Sequence, residues 1–221
     1  MGLTSTRLFG FQQKFYGKRY VANTFQSLNG FGFDADLGAV VTYKITKRVE
    51  ADLMVMNGEG PNNLQLDNNL KVSAGITTYP AQKTVIRFYA DRMKISGVWQ
   101  NTLLAFAGYR SDHFFIASEI NYKADLDTIN GHNAWGISST GGITIFKKSE
   151  IFARYDYATS VIAPGDAIKW NTGKDNSFLV TGVQYTFSGS VKVAIDYQST
   201  FPEDKSKKVS HFIFFNATIK I

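Results

Sequence analysis

The sequence has no cysteine among its 221 residues, only four prolines and no long hydrophobic run. Without cysteine, neither a disulfide framework nor a thiolate metal site can form. The best apolar run, residues 102–109, is far shorter than the ~18 residues that a membrane helix needs. The first ten residues, MGLTSTRLFG, lack the apolar core of a signal peptide, so we expect either a mature chain or one that lacks its beginning.

Helical patterns are missing as well. No segment joins a helix cap to apolar residues at i, i+3 and i+4, so the sequence predicts an all-β chain. Hydrophobic residues make up 44% and charged residues 19%, which suits a globular or barrel protein and excludes a disordered one. No linker divides the chain, and we therefore predict a single β-barrel domain over residues 1–221.

Polarity alternates along the chain with a period of two residues. From Leu37 to Ile45 the odd positions are apolar, while Lys44, Glu50 and Asp52 share the opposite parity in the same predicted hairpin. Such alternation is typical of strands with one apolar and one polar face. The pattern predicts about twelve strands, at residues 4–15, 34–45, 49–57, 69–79, 84–95, 100–109, 113–123, 134–145, 150–159, 176–187, 190–200 and 208–221.

The connections between these segments alternate between short and long. Short ones are residues 46–48, 80–83, 110–112, 146–149 and 188–189, and long ones are 17–33, 58–68, 124–133, 160–175 and 201–207. One brief turn, Ser96-Gly97, stands where a long loop is due. Short turns at one end and longer loops at the other predict an antiparallel transmembrane β-barrel. A soluble β-sandwich with Greek-key crossings has no reason to sort its loops by length.

Aromatic residues on the apolar parity concentrate near both ends of the predicted strands. They are Tyr43, Tyr109, Tyr185 and Phe187 beside short turns, and Tyr122, Tyr157 and Tyr197 beside long loops. Amphipathic rings prefer the level of lipid headgroups, so the two groups resemble the aromatic belts of a membrane protein. The alternative is that tyrosine is common in any strand.

The polar parity carries charges of both signs. Seven are basic (Lys44, Lys71, Arg87, Lys123, Arg154, Lys192, Lys220) and seven are acidic (Asp36, Glu50, Asp52, Asp91, Glu119, Asp156, Asp196). Ionised groups are very costly in a dry core, so we expect this face to be hydrated. We predict that twelve of them, all but Asp36 and Lys220, line an aqueous pore.

The net charge of +6 comes from turns, loops and the first segment, because the charges of the polar parity balance. A selective pore needs charges at its constriction. The first candidate for a constriction loop is residues 17–33, with Lys18 and Arg19, and the alternative is an ordinary solvated loop. We therefore expect weak ion selectivity.

The sequence gives little support for catalysis, metal binding or nucleic-acid binding. His113, His132 and His211 show no ligand spacing, and no serine is paired with a histidine by sequence. The basic residues do not cluster on one face with aromatic residues between them. We predict no catalysis, no metal, no cofactor and no nucleic-acid partner.

Several stretches carry a resemblance to a known family. They are FGFDADLGAVVTY (31–43), LMVMNGEG (53–60), FQQKFYGKRYV (11–21), ARYDYA (153–158) and AIDYQ (194–198). The sequence resembles bacterial porins of the phosphate-selective porin O and P type, in the form common in Bacteroidota. The resemblance implies an outer-membrane barrel, often trimeric, with about sixteen strands. This chain would be the C-terminal portion of such a barrel or a reduced twelve-strand version, and the family's phosphate-binding residues cannot be placed on it.

Together these observations predict a porin of the bacterial outer membrane. It would form a passive aqueous channel for small hydrophilic solutes or ions, with anions such as phosphate among the candidates. Its partners would be outer-membrane lipid, its solutes and further copies in a homotrimer. The alternatives are a closed barrel that acts through its extracellular loops, and a soluble β-fold that binds a ligand.

Overall fold

The computed structural model describes residues 2–63 and 69–219. The fold is all-β, with twelve strands, two short α-helices and one 3-10 turn at Leu126–Thr128. The helices are α1 (Arg7–Tyr16) and α2 (Phe25–Leu28). The strands are β1 (Gly2–Ser5), β2 (Ala35–Thr46), β3 (Val49–Met56), β4 (Lys71–Thr78), β5 (Thr84–Ile95), β6 (Val98–Arg110), β7 (Phe114–Ala124), β8 (Ala134–Phe146), β9 (Ser149–Ser160), β10 (Asn176–Ser188), β11 (Val191–Pro202) and β12 (Ser210–Ile219).

All twelve strands belong to one antiparallel sheet, in which each strand pairs with its neighbours in sequence. Eleven of the predicted segments, from 34–45 onward, coincide with β2 to β12 within a few residues. Residues 220 and 221 of the last segment lie outside the described residues, as does Lys220 among the predicted inward charges. The prediction of an all-β antiparallel fold is confirmed.

The connections are sorted as the sequence predicts. Two-residue turns join β2 to β3, β8 to β9 and β10 to β11. At the same end of the sheet, residues 111–113 join β6 to β7 and residues 79–83 join β4 to β5. The opposite end carries the long connections, of which 161–175 is an example, together with the short turn at residues 96–97. Part of the predicted loop 58–68, residues 64–68, lies outside the described residues. We refer below to the short-turn end and the long-loop end.

The predicted first strand, residues 4–15, is wrong. The strand β1 covers only Gly2–Ser5, and α1 follows it. Three phenylalanines at 9, 11 and 15 share one parity and imitate strand alternation, while Gly10 lowers helix propensity. The buried residues of α1 nevertheless form one helical face, and Gly17 ends the helix in the left-handed conformation (φ 65°). No helix among residues 2–63 and 69–219 is long and apolar enough to cross a membrane.

Residues 6–34, which we call the inner segment, lie against the concave face of the sheet. The segment is inserted between Ser5 and Ala35, which are paired partners on β1 and β2. Its apolar side chains form three clusters with the sheet: Leu8, Phe9 and Tyr16 with β5 to β7, Val21 with β9 to β11, and Phe25 and Phe31 with β8 and β9. The sheet therefore wraps around the inner segment, with contacts from β5 through β11.

The opposite parity of each strand points outward and is exposed. Leu53, Leu103, Ile116 and Ile195 are each more than half exposed, although they are large and apolar. At the edges, β12 pairs only with β11, and β1 pairs with β2 only as far as Gly38, among the described residues. The sheet thus presents an apolar outer surface and a concave inner surface that holds the inner segment.

Candidate functional site

The inner surface of the sheet carries the charged residues that the sequence predicts for it. Nine of the twelve predicted pore-lining residues are buried there: Asp52, Lys71, Arg87, Asp91, Glu119, Lys123, Arg154, Asp156 and Asp196. Glu50 and Lys192, near the short-turn end, are half-buried, and Lys44 is exposed. Asp36 is also buried, where its carboxylate accepts hydrogen bonds from the backbone N–H groups of Leu37 and Gly58. Their role in lining a pore stays a prediction.

Six of the nine buried inward charges neutralise one another in three ion pairs. Arg87 donates from Nη1 and Nη2 to both carboxylate oxygens of Asp52, at 2.6 and 3.0 Å. Lys71 Nζ lies 3.7 Å from Asp91, and Arg154 forms a two-point pair with Asp156. Buried charges are tolerated when they are paired and hydrogen-bonded, so the inner surface is polar yet close to neutral.

The Arg87–Asp52 pair spans an intervening strand and depends on a glycine. Asp52 on β3 and Tyr89 on β5 both face Gly75 on β4, and the Arg87 side chain crosses above this glycine. A Cβ atom at Gly75 would collide with the guanidinium group. Pairing of Arg87 with a residue two strands away could not be read from the sequence, which offers Asp91 on the same strand as an equally plausible partner.

Polar side chains of the sheet hold the backbone of the inner segment. Arg154 Nη1 donates to the carbonyl of Asn23 at 2.5 Å, and Gln198 Nε2 donates to the carbonyl of Val21 at 3.0 Å. Lys123 donates to the carbonyl of Phe31 at 3.2 Å. Hydrogen bonds from charged donors such as Arg154 and Lys123 contribute about 1.5–3 kcal/mol each, and the neutral amide of Gln198 contributes about 0.5–1.5 kcal/mol, so these contacts fix the path of the segment.

The two charged residues of the predicted constriction loop, Lys18 and Arg19, lie in different environments. Lys18 is mostly buried against the inner surface of the sheet, where it pairs with Glu150 on β9. Arg19 is more exposed and pairs with Asp34 within the inner segment. Burial lowers the pKa of Lys18, and the neighbouring Glu150 carboxylate opposes that shift. Burial and the Glu150 and Asp196 carboxylates raise the pKa of Tyr20 to about 12, and the Tyr20 hydroxyl donates to Gln184 Oε1 at 2.8 Å.

Two open depressions approach the inner segment from opposite ends. At the short-turn end, a depression of about 580 Å³ is lined by residues that include Lys18, Tyr20 and Lys192. At the long-loop end, one of about 540 Å³ is lined by residues that include Asn29 and Phe31. The portion of the inner segment between them, residues 21–26, is the part that a solute crossing from end to end would have to pass.

Loop 161–175 is fastened over the long-loop end by polar contacts. Asp175 accepts hydrogen bonds from the N–H group and the hydroxyl of Ser160, at 2.8 and 2.5 Å. Lys169 Nζ donates to the Glu203 carboxylate at 2.5 Å, and this hydrogen bond raises the pKa of Lys169. The indole of Trp170 stacks on His132 with ring centroids 4.3 Å apart. Loop 161–175 is therefore an ordered part of the long-loop end.

Comparisons with known proteins support the fold. No family model matches the sequence, and the search of curated proteins found no match. Among solved structures, the chain is similar to the CymD monoaromatic hydrocarbon channel, with a TM-score of 0.54 and 11% sequence identity. The alignment covers 83% of this chain and 71% of that channel. At this identity the likeness shows a shared fold alone, and it supports no assignment to the phosphate-selective porin family.

Proposed function

We propose that this chain forms the wall of a passive channel in the bacterial outer membrane, and that it conducts small hydrophilic solutes or ions. The fold that it shares with a hydrocarbon channel supports a channel role. No catalytic step is part of the proposal, because solute would move down its own gradient.

The observation that carries the proposal is the division of the sheet into two faces. Outward residues such as Leu103, Ile116 and Ile195 are large, apolar and exposed, whereas inward positions hold Arg87, Glu119 and other buried charges. A soluble barrel would show the opposite arrangement, with charges outside and an apolar core. An apolar exterior around a charged interior fits a lipid-facing wall around an aqueous lumen.

The inner segment would be the constriction of this channel. It separates the depression at the short-turn end from that at the long-loop end, and side chains from β6, β7, β9, β10 and β11 bind it. The same observation favours a second candidate, a closed barrel that acts through its long loops. The two candidates differ in one measurable property, the conductance of the folded protein.

The solute class follows from the inner surface. Its paired charges favour polar over apolar solutes and give no strong preference between cations and anions. The neighbouring structure conducts monoaromatic hydrocarbons, and an aromatic cluster around Phe106 lies at the inner surface here as well, but α1 covers it. We therefore favour hydrophilic solutes, with phosphate as one candidate anion from the family resemblance.

Closure of the wall is a further part of the proposal. A wall in lipid needs every backbone group paired, and among the described residues neither β12 nor the part of β2 beyond Gly38 carries a second ladder. We propose that these edges pair in the membrane, either with each other in a twelve-strand barrel or with further antiparallel strands in the larger barrel that the resemblance implies. Homotrimer formation remains a proposal from that resemblance alone.

Planar-bilayer recording of the refolded protein tests the proposal. Folding is first established by heat-modifiable migration in detergent gels, where a membrane barrel runs differently before and after boiling. Discrete conductance steps from the heat-modifiable form would support a channel. A heat-modifiable protein that never conducts would support the closed barrel, and the absence of heat-modifiable migration would contradict both candidates.

A further inference from the structure

A buried group of polar atoms without partners lies where the two helices of the inner segment meet β7. Its residues are Gln12 and Tyr16 of α1, Gln26 of α2, Glu119 of β7 and Ser138 of β8. Gln12, Gln26 and Ser138 have no exposed surface, and Glu119 is 2% exposed. Each of the five has one buried oxygen atom without a hydrogen-bond partner, and the amide nitrogens Gln12 Nε2 and Asn121 Nδ2 lack partners as well. We call this group the Glu119 cluster.

The contacts within the cluster bring these oxygens together. Gln26 Nε2 donates to Glu119 Oε2 and to Asn121 Oδ1, both at 3.0 Å. Gln12 lies beside the Glu119 carboxylate, and Tyr16 lies beside Ser138. Glu119 and Ser138 are register partners on adjacent strands and share one face. The unpartnered oxygens of Gln12 and Gln26 therefore belong to side chains beside the Glu119 carboxylate, and those of Tyr16 and Ser138 lie at the neighbouring position on β8.

The carboxylate of Glu119 differs from the other buried carboxylates of the inner surface. Asp52, Asp91 and Asp156 each have a basic partner. Asp36 accepts from two backbone N–H groups, and Asp196 accepts from the side-chain amides of Gln198 and Asn216. Among the described residues, Glu119 pairs with no cation, and one of its oxygens accepts nothing.

We propose that the Glu119 cluster binds a monovalent metal cation of the sodium or potassium kind. A carboxylate oxygen, two amide oxygens and two hydroxyl oxygens form a set of hard oxygen ligands, as such ions require. A water molecule in the same place would satisfy hydrogen bonds but would leave the buried negative charge uncompensated.

The charge balance selects a monovalent ion over a divalent one. The neighbouring Arg154–Asp156 pair is neutral in itself, so Glu119 contributes a single negative charge to this region. A monovalent cation cancels that charge, whereas a divalent ion would leave a buried positive charge, which is costly. Because Gln12 and Gln26 belong to the inner segment, a bound cation would fasten both helices to β7.

Chemical unfolding of the refolded protein in detergent tests this proposal. Choline chloride is replaced stepwise by sodium or potassium chloride while total salt stays constant, so that general screening does not change. We expect saturable stabilisation by at least one of the two metal ions. At a concentration 100 times the Kd, the folded-to-unfolded ratio should be about 100-fold higher than in choline.

The Glu119→Gln variant keeps the size of the side chain and removes its charge, and it should lose this cation dependence. Glu59→Gln, in the loop after β3, is the matched control and should keep it. Equal stability in metal and choline salts for the unaltered protein would overturn the proposal, even if Glu119→Gln failed to fold. Equal dependence in Glu119→Gln, or stronger stabilisation by calcium at the same concentration, would also overturn it. None of these results bears on whether the protein conducts.

Discussion

Arg87 and Asp52 form a two-point ion pair across the width of strand β4, at 2.6 and 3.0 Å. Both side chains are almost fully buried, and Thr77 accepts a further hydrogen bond from Arg87. The pair ties β3 to β5 without using backbone hydrogen bonds. It also places the guanidinium group 5.4 Å from the ring of Phe11, so that the same arginine touches α1.

We expect Asp52→Asn to reduce the free energy of unfolding by about 3–5 kcal/mol, because it leaves Arg87 buried without a counter-charge. The double variant Asp52→Asn, Arg87→Gln should be more stable than Asp52→Asn alone, since neither charge then remains. Urea unfolding in detergent measures both. The matched control is Asp112→Asn, at an exposed ion pair with Lys83, where we expect about 0–1 kcal/mol. Equal losses at Asp52 and Asp112 would contradict the structural role of the buried pair.

The apolar outward face leads to a prediction that distinguishes a membrane-embedded wall from a soluble sheet. Leu103 lies mid-way along β6 and is 52% exposed. Arginine at the bilayer midplane costs about 2–4 kcal/mol, so Leu103→Arg should reduce folding into lipid vesicles. Ile129→Arg, in the loop between β7 and β8 with 48% exposure, is the control and should fold normally. If Leu103→Arg folds into vesicles as well as the unaltered protein does, the outward face is not embedded in lipid.

The sequence predicts the strands well because their alternation is a local property. From β2 to β12 the parity of each residue is enough to assign its face, and Arg87, Glu119 and Arg154 all point inward as expected. The inner segment could not be predicted in the same way. Its helices are stabilised by contacts with the sheet, such as those of Phe9 and Phe25, which are distant in sequence. Gly17 ends α1 in the structure, but a single glycine at the start of a predicted loop does not identify a helix before it.

The pairing of the inward charges could not be predicted from the sequence either, because it depends on the register between strands. The short-turn lengths fix that register approximately, but a partner two strands away, like Asp52 for Arg87, is decided by the absence of a side chain at Gly75. The burial of Lys18 could not be predicted either, because it also depends on a contact between distant parts of the sequence. Its partner Glu150 is 132 residues away in sequence, and the contact exists only because the inner segment folds back against the sheet.

Tyr20 should make the stability depend on pH in the alkaline range. Its pKa rises from 10.0 to about 12 on folding, so the folded state holds the phenolic proton more tightly than the unfolded state. The resulting stabilisation is fully present below pH 10 and is lost as the pH rises towards 12. Tyr20→Phe should therefore lose less stability over this range in urea unfolding. Tyr79→Phe, at an exposed position near the short-turn end, is the control. A Tyr20→Phe profile identical to that of the unaltered protein would contradict the burial of Tyr20.

The ion selectivity of the channel should be weak. Buried pairs such as Lys71 with Asp91 and Arg154 with Asp156 cancel most of the field of the inner surface. In a gradient of potassium chloride across a planar bilayer, the reversal potential should therefore lie near zero. Asp196→Asn removes a carboxylate that has no basic partner among the described residues, and should shift the reversal potential towards anions. A strongly anion-selective unaltered protein would contradict the charge balance of the wall.

Removal of the inner segment should open the lumen. Because Ser5 and Ala35 are paired partners and Thr6 N donates to the carbonyl of Asp34 at 3.0 Å, a short glycine-containing turn can replace residues 7–33 without moving β1 or β2. We expect the deletion variant to conduct several times better than the unaltered protein in a planar bilayer. A control variant, Asp112→Asn, breaks only the exposed pair with Lys83 outside the inner segment and should leave conductance nearly unchanged. A deletion variant that shows heat-modifiable migration but conducts no better would mean that the inner segment is not the constriction.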